Sequence, residues 1–339
     1  MDAVPPSPPS RPASSGRVTA AMVAERAGTS IATVSLVVNG KDRGRVSVPI
    51  ASRVRDAVTE LGYVVDHAAS SLARGSGDLV VLIAPDLSNP FFAEVIRGVR
   101  DTVGDRFQLV LSVTERGEQP VDADVRRFER LRPAGILVDA PADGESMSAG
   151  VPVVLLDAPG GPGAVNYDLS SGVEALVTHL AAAGHRRVGY LDGTSRATTF
   201  AVRRSLFDEA CAVAGITVSP VVARADLTID AAATAVGTVV DTWLDDGVTA
   251  VVGAADTLAY GVLRVAAERG IAVPGTLAVA GFDDLPSSSV TAPALTSVAL
   301  PGAELGRAAA LRFLATLDGT EAPDPALPTR LVPRASTGA

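Results

Sequence analysis

The sequence predicts a small all-α head near the amino-terminal end, followed by a larger doubly wound α/β body. Two short helical stripes separated by the turn sequence "GTS" (28–30) predict the head. Near-continuous apolar runs that alternate with amphipathic helical patterns predict the body from Asp78 onward. Charge separates the two parts, because residues 1–77 carry nine Lys+Arg against six Asp+Glu, whereas the remainder carries 20 against 32.

The charge distribution indicates a nucleic-acid-binding head on an acidic body. The whole chain of 339 residues has a net charge of −9, which by itself would disfavour a nucleic-acid partner. The basic excess is confined to the head, where it amounts to +3. Cys211 is the single cysteine, which excludes an internal disulfide and thiolate metal clusters and fits a reducing cytoplasm. We expect no cofactor.

The chain shows no signal for export or for a membrane. No run approaches the roughly 20 apolar residues that a membrane span requires. Residues 1–16 are rich in Pro and Ser and lack the apolar core of a secretory signal, so we expect a disordered extension and a cytoplasmic protein.

Seven apolar runs in the body predict buried parallel strands. They are residues 79–85, 107–113, 134–140, 151–158, 186–193, 249–256 and 277–284. Helical patterns lie between them, at 91–104, 170–184 and 257–270 among others. Carboxylates follow many of the strands: Asp86, Asp139, Asp157, Asp192, Asp256 and Asp283. Each could merely cap the next helix, but together they predict a polar ligand cleft at the carboxyl ends of the strands.

The head has the pattern of a helix-turn-helix motif. One apolar stripe comprises Val23, Ala24 and Ala27, and the second comprises Val34, Val37 and Val38. Gly28 can supply a positive φ in the turn, and Thr19 and Ser30 are good N-caps for the two helices. Such a motif places its second helix in the DNA major groove, although an ordinary helical hairpin would show the same stripes.

A third helix and a linker complete the predicted head. Ser47 is its expected N-cap, Pro49 fits its first turn and Gly62 fits its end. Its inner stripe is expected to be Val54, Val58 and Leu61. We expect boundaries at 17–63 for the helix-turn-helix domain, 64–77 for a short hinge helix and linker, and 78–339 for the body.

The ordered motifs resemble the lactose-repressor (LacI/GalR) family of bacterial transcription regulators. The head carries "VTAAMVAERAGTSIATVSLVVNG", "RVS" and "VRDAVTELGY", and the body carries "DLSNPFFAEVIRGV", "VPVVLLD", "HLAAAGHRRVGYLDG", "AVPGTLAVAGFDD" and "PALTSV". The likeness spans residues 17 to about 330. The segment "GKDRGR" (40–45), between the second and third predicted helices, is longer than is usual in the family. It implies a periplasmic-binding-protein-like body of two α/β subdomains with an effector in the cleft between them. It also implies a homodimer on a near-palindromic operator.

The resemblance assigns DNA contacts within the head. Ile31, Ala32 and Leu36 take the base-reading positions of the recognition helix, and Thr33, Ser35 and Asn39 take phosphate-binding positions. The helix caps Thr19 and Ser30 belong to the same predicted surface. Position 36 is most often Arg in the family, so the three presumed readers here lack hydrogen-bonding side chains and are expected to contact thymine methyl groups. An alternative for Leu36 is hydrophobic packing alone.

The resemblance also assigns a hinge helix, at residues 66–73. Its expected DNA contacts are His67, Ala69 and Leu72, with Leu72 as a wedge in the minor groove. The family usually has Pro and Asn before this helix, where this chain has Val65 and Asp66. The Asp66 carboxylate would face phosphates, which predicts weaker coupling between the hinge and DNA.

For the effector pocket, the resemblance points to carboxylates, one arginine and two aromatic side chains. The positions are Asp86, Phe91, Phe92, Asp157, Arg203, Asp256 and Asp283. Arginine and carboxylates can bind vicinal hydroxyls while an aromatic ring stacks on a sugar face, so a sugar is the expected ligand. A nucleoside, another small metabolite or no ligand are the alternatives. The chain departs from the family at three of the positions near the pocket. Ala255 stands where Asn is usual, Leu206 where Gly is usual, and Leu227 where an aromatic residue is often found.

Other function classes fit the sequence less well. The motifs G-x-G-x-x-G after the first body strand, G-x-S-x-G and the P-loop are absent from the sequence, which disfavours a dinucleotide enzyme or a hydrolase. An exported solute-binding protein would have neither the head nor this amino-terminal extension. We expect an operator-binding repressor in which the ligand changes the angle between subdomains. No leucine-heptad tail follows "LVPRASTGA", which favours a dimer over a tetramer.

Overall fold

The computed structural model of the chain describes residues 18–38, 40–63, 77–85, 87, 89–114, 118–142, 147–322 and 326–338. The chain divides into two compact units, Met1–Gly75 and Ser76–Ala339. The predicted disordered extension and the predicted hinge helix lie outside the described residues. Within the described ranges, no single helix is long and apolar enough to cross a membrane. One pair bent by 100°, Ala20–Ala27 with Ile31–Val38, meets that test only when both helices are combined.

Three helices form the described part of the head: α1 (Ala20–Ala27), α2 (Ile31–Val38) and α3 (Val48–Leu61). The Thr19 hydroxyl accepts a hydrogen bond from the amide of Met22 at 3.4 Å, which caps α1 as predicted. Gly28 ends α1 with φ at 60°, and the Ser30 hydroxyl accepts from the amide of Thr33 at 3.2 Å. The sharp turn between α1 and α2 therefore follows from the glycine and the serine that the sequence places there.

The core of the head is made of small apolar side chains. The predicted stripes of α1 and α2 are confirmed, with Val34 and Val37 buried and Val38 partly buried. The predicted stripe of α3 is also confirmed, with Val54 buried and Val58 and Leu61 partly buried against the same core, but it is incomplete because Ala51 and Ala57 are buried too. The core of the head therefore includes small side chains on α3 as well as the predicted stripe.

The first subdomain of the body is a four-stranded parallel sheet with helices on both faces. Its strands are β1 (Leu79–Ala84), β2 (Gln108–Val113), β3 (Gly135–Asp139) and β4 (Val153–Leu156), in the order β2-β1-β3-β4. Its helices are α4 (Pro90–Val103), α5 (Asp122–Glu129) and α10 (Gly302–Asp318). In β1, Val80 and Leu82 belong to one apolar cluster and Val81 and Ile83 to another. Because both faces are covered, the strand sequence is apolar at every position.

The second subdomain is a seven-stranded sheet. Its strands are β6 (Arg187–Gly193), β7 (Thr217–Val218), β8 (Ala223–Ala225), β9 (Ala250–Gly253), β10 (Ala278–Asp283), β11 (Thr296–Ala299) and β13 (Arg330–Val332). The order is β13-β11-β10-β9-β6-β7, with β8 also paired to β6, and β13 is antiparallel to β11. Its helices are α6 (Ser170–Ala182), α7 (Thr198–Ala214), α8 (Ile229–Asp245) and α9 (Asp256–Arg269). The seven predicted strands are all present in the two sheets, but the prediction that all are buried is wrong for β2. This strand lies at the edge of the first sheet, and its side chains are exposed or half-buried.

The chain crosses between the subdomains more than once. A two-stranded pair, β5 (Tyr167–Asp168) with β12 (Leu327–Pro328), lies beside two of the crossings. Helix α10 follows β11 of the second sheet but packs on α4 of the first subdomain. The predicted fold class, a helical head and a periplasmic-binding-protein-like body of two doubly wound subdomains, is confirmed.

Helices α4 and α10 approach each other closely at two glycines. A Cβ atom on Gly98 would overlap the carbonyl oxygen of Ala303 and lie 2.9 Å from the backbone nitrogen of Arg307. A Cβ atom on Gly306 would overlap the carbonyl oxygen of Val95. The two backbones are therefore in direct contact, with no room for a side chain at either glycine.

Candidate functional site

The outer face of α2 carries the presumed base-reading side chains. The Ile31 side chain is 55% exposed, Ala32 is exposed and Leu36 is half-buried. Among the predicted phosphate contacts, Ser35 is exposed and Thr33 is half-buried, with its hydroxyl 2.9 Å from that of Ser30. This face of α2 is thus apolar and hydroxyl-bearing, as the sequence predicts. Asn39, His67, Ala69 and Leu72 lie outside the described residues.

The long segment that follows α2 forms a basic loop, whose charge was not part of the predicted DNA-binding surface. Lys41, Arg43 and Arg45 are exposed and line one shallow depression. Asp42 holds the loop to α3 through an ion pair with Arg55 at 2.5 Å, and its carbonyl accepts from the amide of Arg45 at 3.0 Å. In the described part of the chain, Lys41, Arg43 and Arg45 have no ion-pair partner, so their charge faces solvent next to α2.

In the body, Arg203 joins carboxylates from both subdomains. The guanidinium projects from α7 and donates to the carbonyl of Ala254 at 2.9 Å and to Asp283, at the end of β10, at 3.3 Å. Its other terminal nitrogen lies 3.9 Å from Asp157, which follows β4 of the first subdomain. Phe200 and Phe282 place their rings 5.1 and 5.5 Å from the same guanidinium. Asp157, Arg203 and Asp283 therefore meet, as the sequence predicts.

Several buried polar groups around Arg203 have no hydrogen-bond partner in the described chain. Both oxygens of Asp139 are unpaired, as are Oδ1 of Asp157 and the hydroxyls of Tyr167 and Thr199. Asp139 is only 1% exposed. We name these four residues, together with Arg203 and Asp283, the cleft cluster. An unpaired buried polar group is costly, so this concentration of them indicates a ligand site.

The pKa shifts show that the members of the cleft cluster lie within electrostatic reach of one another. Burial and, after it, the Asp157 carboxylate raise the pKa of Asp139 well above its ordinary value. Burial also raises the pKa of Asp157, and the positive charge of Arg203 opposes that rise. The pKa of Tyr167 is raised well above its ordinary value by burial, then by Asp157 and Asp139. From the sequence, Asp139 was predicted only as a carboxylate that follows a strand. Tyr167 and Thr199 were not predicted as site residues, because no motif includes them.

Backbone strain is concentrated at the same place. Of the described residues other than glycine, five have a positive φ: Arg132, Ala140, Asp157, Asp283 and Asp284. Four of these five are in the cleft cluster or directly follow a member of it. A residue other than glycine held in this region costs about 1 kcal/mol or more and persists where the surroundings fix it, typically at a binding site.

The remaining predicted effector residues lie in different environments. Asp86 lies outside the described residues. Phe91 is buried in the first subdomain, with its ring 6.5 Å from that of Tyr167. Phe92 lines a cavity of about 610 Å³ between the subdomains, which Leu227 also lines. Phe92 is thus the aromatic side chain available to a ligand in that cavity.

Asp256 is a buried brace with both carboxylate oxygens in use. Oδ1 accepts from the Ser297 hydroxyl at 2.6 Å, and Oδ2 accepts from the Ser288 hydroxyl at 2.5 Å and the Leu285 amide at 2.9 Å. The Asp256 carboxylate therefore links the segments that carry Leu285, Ser288 and Ser297. Burial and, after it, Asp283 raise the pKa of Asp256 to about 8.

Replacing Asp256 with asparagine should flatten the pH dependence of stability. The folded-state pKa is raised, so the unfolded chain loses this proton near pH 4 while the folded chain keeps it to about pH 8. Stability should therefore fall as pH rises through that window and level off above it. Asparagine mimics the protonated acid, so the variant should gain more than about 1 kcal/mol on wild type between pH 5 and pH 8.

Urea unfolding at several pH values measures this gain. The exposed Asp241, which pairs with Arg269 at the surface, provides the control, and Asp241→Asn should follow the wild-type profile. If the stability of Asp256→Asn changes with pH in parallel with that of wild type, the pKa of Asp256 is not raised in the folded protein.

Two family models match the chain. Residues 16–66 match the family described as bacterial regulatory proteins, lacI family. Residues 177–337 match the family described as periplasmic binding protein-like domain. The first match covers the helices of the head, and the second covers much of the second subdomain and helix α10.

Full-length relatives are transcriptional regulators. The HTH-type transcriptional regulator GntR of Pseudomonas aeruginosa is 32% identical over 92% of this chain and 93% of its own length. The HTH-type transcriptional repressor CytR of Escherichia coli is 29% identical over 88% of this chain and 89% of its own length.

Solved structures agree with the head-and-body architecture. A lac repressor dimer bound to operator and the anti-inducer ONPF has a TM-score of 0.81 and 26% identity, over 96% of this chain and 100% of that one. A complex of the transcriptional regulator CelR with cellobiose has a TM-score of 0.68 and 28% identity, over 94% of this chain and 100% of that one. The chain therefore belongs to the LacI family of bacterial regulatory proteins, and it is a DNA-binding transcriptional regulator, not an enzyme.

Proposed function

We propose that this regulator is a cytoplasmic homodimer that represses transcription from a near-palindromic operator, under the control of a hydroxyl-rich ligand such as a sugar. The domains would be a helix-turn-helix head at 17–63, a hinge and linker at 64–77 and an effector-binding and dimerisation body at 78–339. The observation that carries the effector part is the bridge by Arg203 between Asp157 of one subdomain and Asp283 of the other.

A ligand in the cleft cluster would act on the angle between the subdomains. Arg203 lies 3.9 Å from Asp157, which is too long for a hydrogen bond, so a hydroxyl group placed between them would complete both. The cavity that Phe92 lines includes no cleft-cluster residue in its lining, so Phe92 would contact an apolar part of the ligand that extends from the cluster into that cavity. Because the carboxylates and the arginine come from different subdomains, ligand binding would change their separation, and in a dimer this would alter the spacing of the two heads. The CelR relative with cellobiose and the lac repressor with its operator and anti-inducer support such a pairing of ligand and DNA.

Operator sequence would be read by apolar contacts. Ile31, Ala32 and Leu36 present methyl groups on the outer face of α2, which suits thymine-rich positions. The hydroxyls of Thr19, Ser30, Thr33 and Ser35 would contact phosphates beside them, and the amide of Asn39 would do the same. His67, Ala69 and Leu72 complete the proposed contacts in the minor groove.

Selection of binding sites from random double-stranded DNA, followed by gel shifts with the full-length protein, tests this function. The selected sites should be near-palindromic and should be shifted by a dimer. A folded dimer that shifts no DNA at low salt would refute the regulator role. Release of the selected site by a sugar, or its tighter binding, then identifies the effector and the direction of the response.

A pair of head variants should separate base reading from phosphate binding. Leu36→Ala should weaken binding to the selected site about tenfold and leave non-specific binding unchanged, because it removes only contact with bases. Arg43→Gln should weaken both kinds of binding and reduce the salt slope by about 1, because it removes one cation near the backbone. Gel shifts at several salt concentrations measure both effects. Arg127 is an exposed cation on α5 of the body, so Arg127→Gln serves as the control and should change neither kind of DNA binding. An unaltered salt slope in Arg43→Gln would exclude the basic loop from the DNA interface.

A further inference from the structure

The cleft cluster contains more negative than positive charge. Asp139, Asp157 and Asp283 contribute three carboxyl groups, all less than 10% exposed, against the single guanidinium of Arg203. One terminal nitrogen of Arg203 donates to Ala254 and Asp283 and the other lies 3.9 Å from Asp157, whereas Nε has no hydrogen-bond partner in the described chain. Asp139 has no ion-pair partner within the described residues. Among the described residues, the end of the cluster formed by β3 and β4 therefore has no positive charge of its own.

The unpaired groups at that end are mainly acceptors. Oδ1 and Oδ2 of Asp139 and Oδ1 of Asp157 are buried and accept no hydrogen bond from the described chain. A neutral polyol could donate hydrogen bonds to these oxygens but would leave their charge uncompensated in a buried site, which is expensive. An ammonium group supplies three N–H donors and a positive charge together.

We propose that the effector carries a protonated amino group, which Asp139 and Asp157 bind at the carboxyl ends of β3 and β4. This inference rests on the proposed role of the cleft cluster as the effector site. The hydroxyl groups of the same ligand face Arg203, Tyr167 and Thr199, so an amino sugar or a hydroxylated amine has the required chemistry. Without the ligand, a proton on Asp139 takes the place of the ammonium group, in keeping with its raised pKa.

Matched pairs of small probes test the charge requirement directly. Thermal shift and calorimetric titration would compare ethanolamine with ethylene glycol, and glucosamine with glucose, on the full-length protein. The amine of at least one pair should bind at least tenfold more tightly than its neutral partner. Asp139→Asn should abolish that preference, so that the amine and its neutral partner bind with similar affinity. Asp241→Asn, which removes a carboxylate from the exposed side of α8, should keep the preference.

Each of the other outcomes overturns the proposal. These are equal or tighter binding of the neutral probes, an amine preference that survives Asp139→Asn, and an absence of binding by both amines. Asp157→Asn provides a second variant with the same expected loss should Asp139→Asn fold poorly. Gel shifts on the same preparations separate the two levels of inference. If the wild-type dimer binds its operator but shows no preference for the amines, only the proposal of a charged effector is refuted. If the wild-type dimer does not bind operator DNA at all, the proposed function itself is refuted.

Discussion

Replacing Gly98 with valine should destabilise the body by at least about 3 kcal/mol. A Cβ atom there would overlap the carbonyl oxygen of Ala303 on α10, and Gly306 makes the reciprocal contact with Val95 on α4. The obstructing atoms are helix backbone, which cannot rotate away as a side chain can. The helices would have to separate, and the tightly packed apolar side chains on both sides of the crossing would lose contact.

Chemical unfolding followed by circular dichroism measures this loss. Gly237 on α8 offers a matched control, because a Cβ atom there meets only the Arg269 side chain, at 3.7 Å. Gly237→Ala should stabilise the protein by about 0.5 to 1 kcal/mol, since alanine loses less conformational freedom on folding. The two substitutions thus have opposite expected signs. A wild-type unfolding midpoint for Gly98→Val would show that α4 and α10 are not in backbone contact.

The sequence predicts long elements better than short ones for a physical reason. Each of the seven predicted strands has three or more apolar residues, and all except the edge strand β2 are largely buried. Strands β5, β7 and β12 have two residues each, which is too short for an apolar period, so they were not predicted. Their pairing follows from where the chain crosses between subdomains. The buried Ala51 and Ala57 of α3 were missed because alanine is a weak marker of burial.

In the candidate effector site, the predictable members were charged side chains that directly follow a strand. Asp157 and Asp283 end strands of different subdomains, and the topology brings them to Arg203, as expected from the sequence. Tyr167 and Thr199 were not predicted, because one lies on a two-residue strand and the other in the first turn of a helix. Asp256 was predicted as a site residue because it follows a strand, but its carboxylate accepts hydrogen bonds from two serine hydroxyls and a backbone amide. Position after a strand therefore indicates the neighbourhood of the cleft without identifying which side chains face it.

Replacing Arg203 with methionine should abolish the effector response and also destabilise the body by about 3 to 5 kcal/mol. Arg203 is 3% exposed, and its removal leaves Asp157 and Asp283 without a counter-charge and the carbonyl of Ala254 without its donor. Methionine retains much of the side-chain volume, so the loss reports charge more than packing. Urea unfolding and effector-dependent gel shifts measure the two effects separately.

The same chemistry at the surface provides the control. Arg269 pairs with Asp241 at 2.7 Å, but the carboxylate side chain is 77% exposed, so Arg269→Met should cost less than about 1 kcal/mol. Equal costs for Arg203→Met and Arg269→Met would show that burial does not strengthen the Arg203 interactions.

A second substitution distinguishes the two roles of Arg203. Combining Arg203→Met with Asp283→Asn removes the carboxylate that Arg203 holds most closely, at 3.3 Å, and should restore part of the lost stability. It should not restore the effector response, because the bridge to Asp157 and the donor to the ligand remain absent. Recovery of the response along with stability would mean that Arg203 acts only by supporting the fold. A stable double variant that still ignores the effector would instead show that the arginine links ligand binding to the angle between the two subdomains.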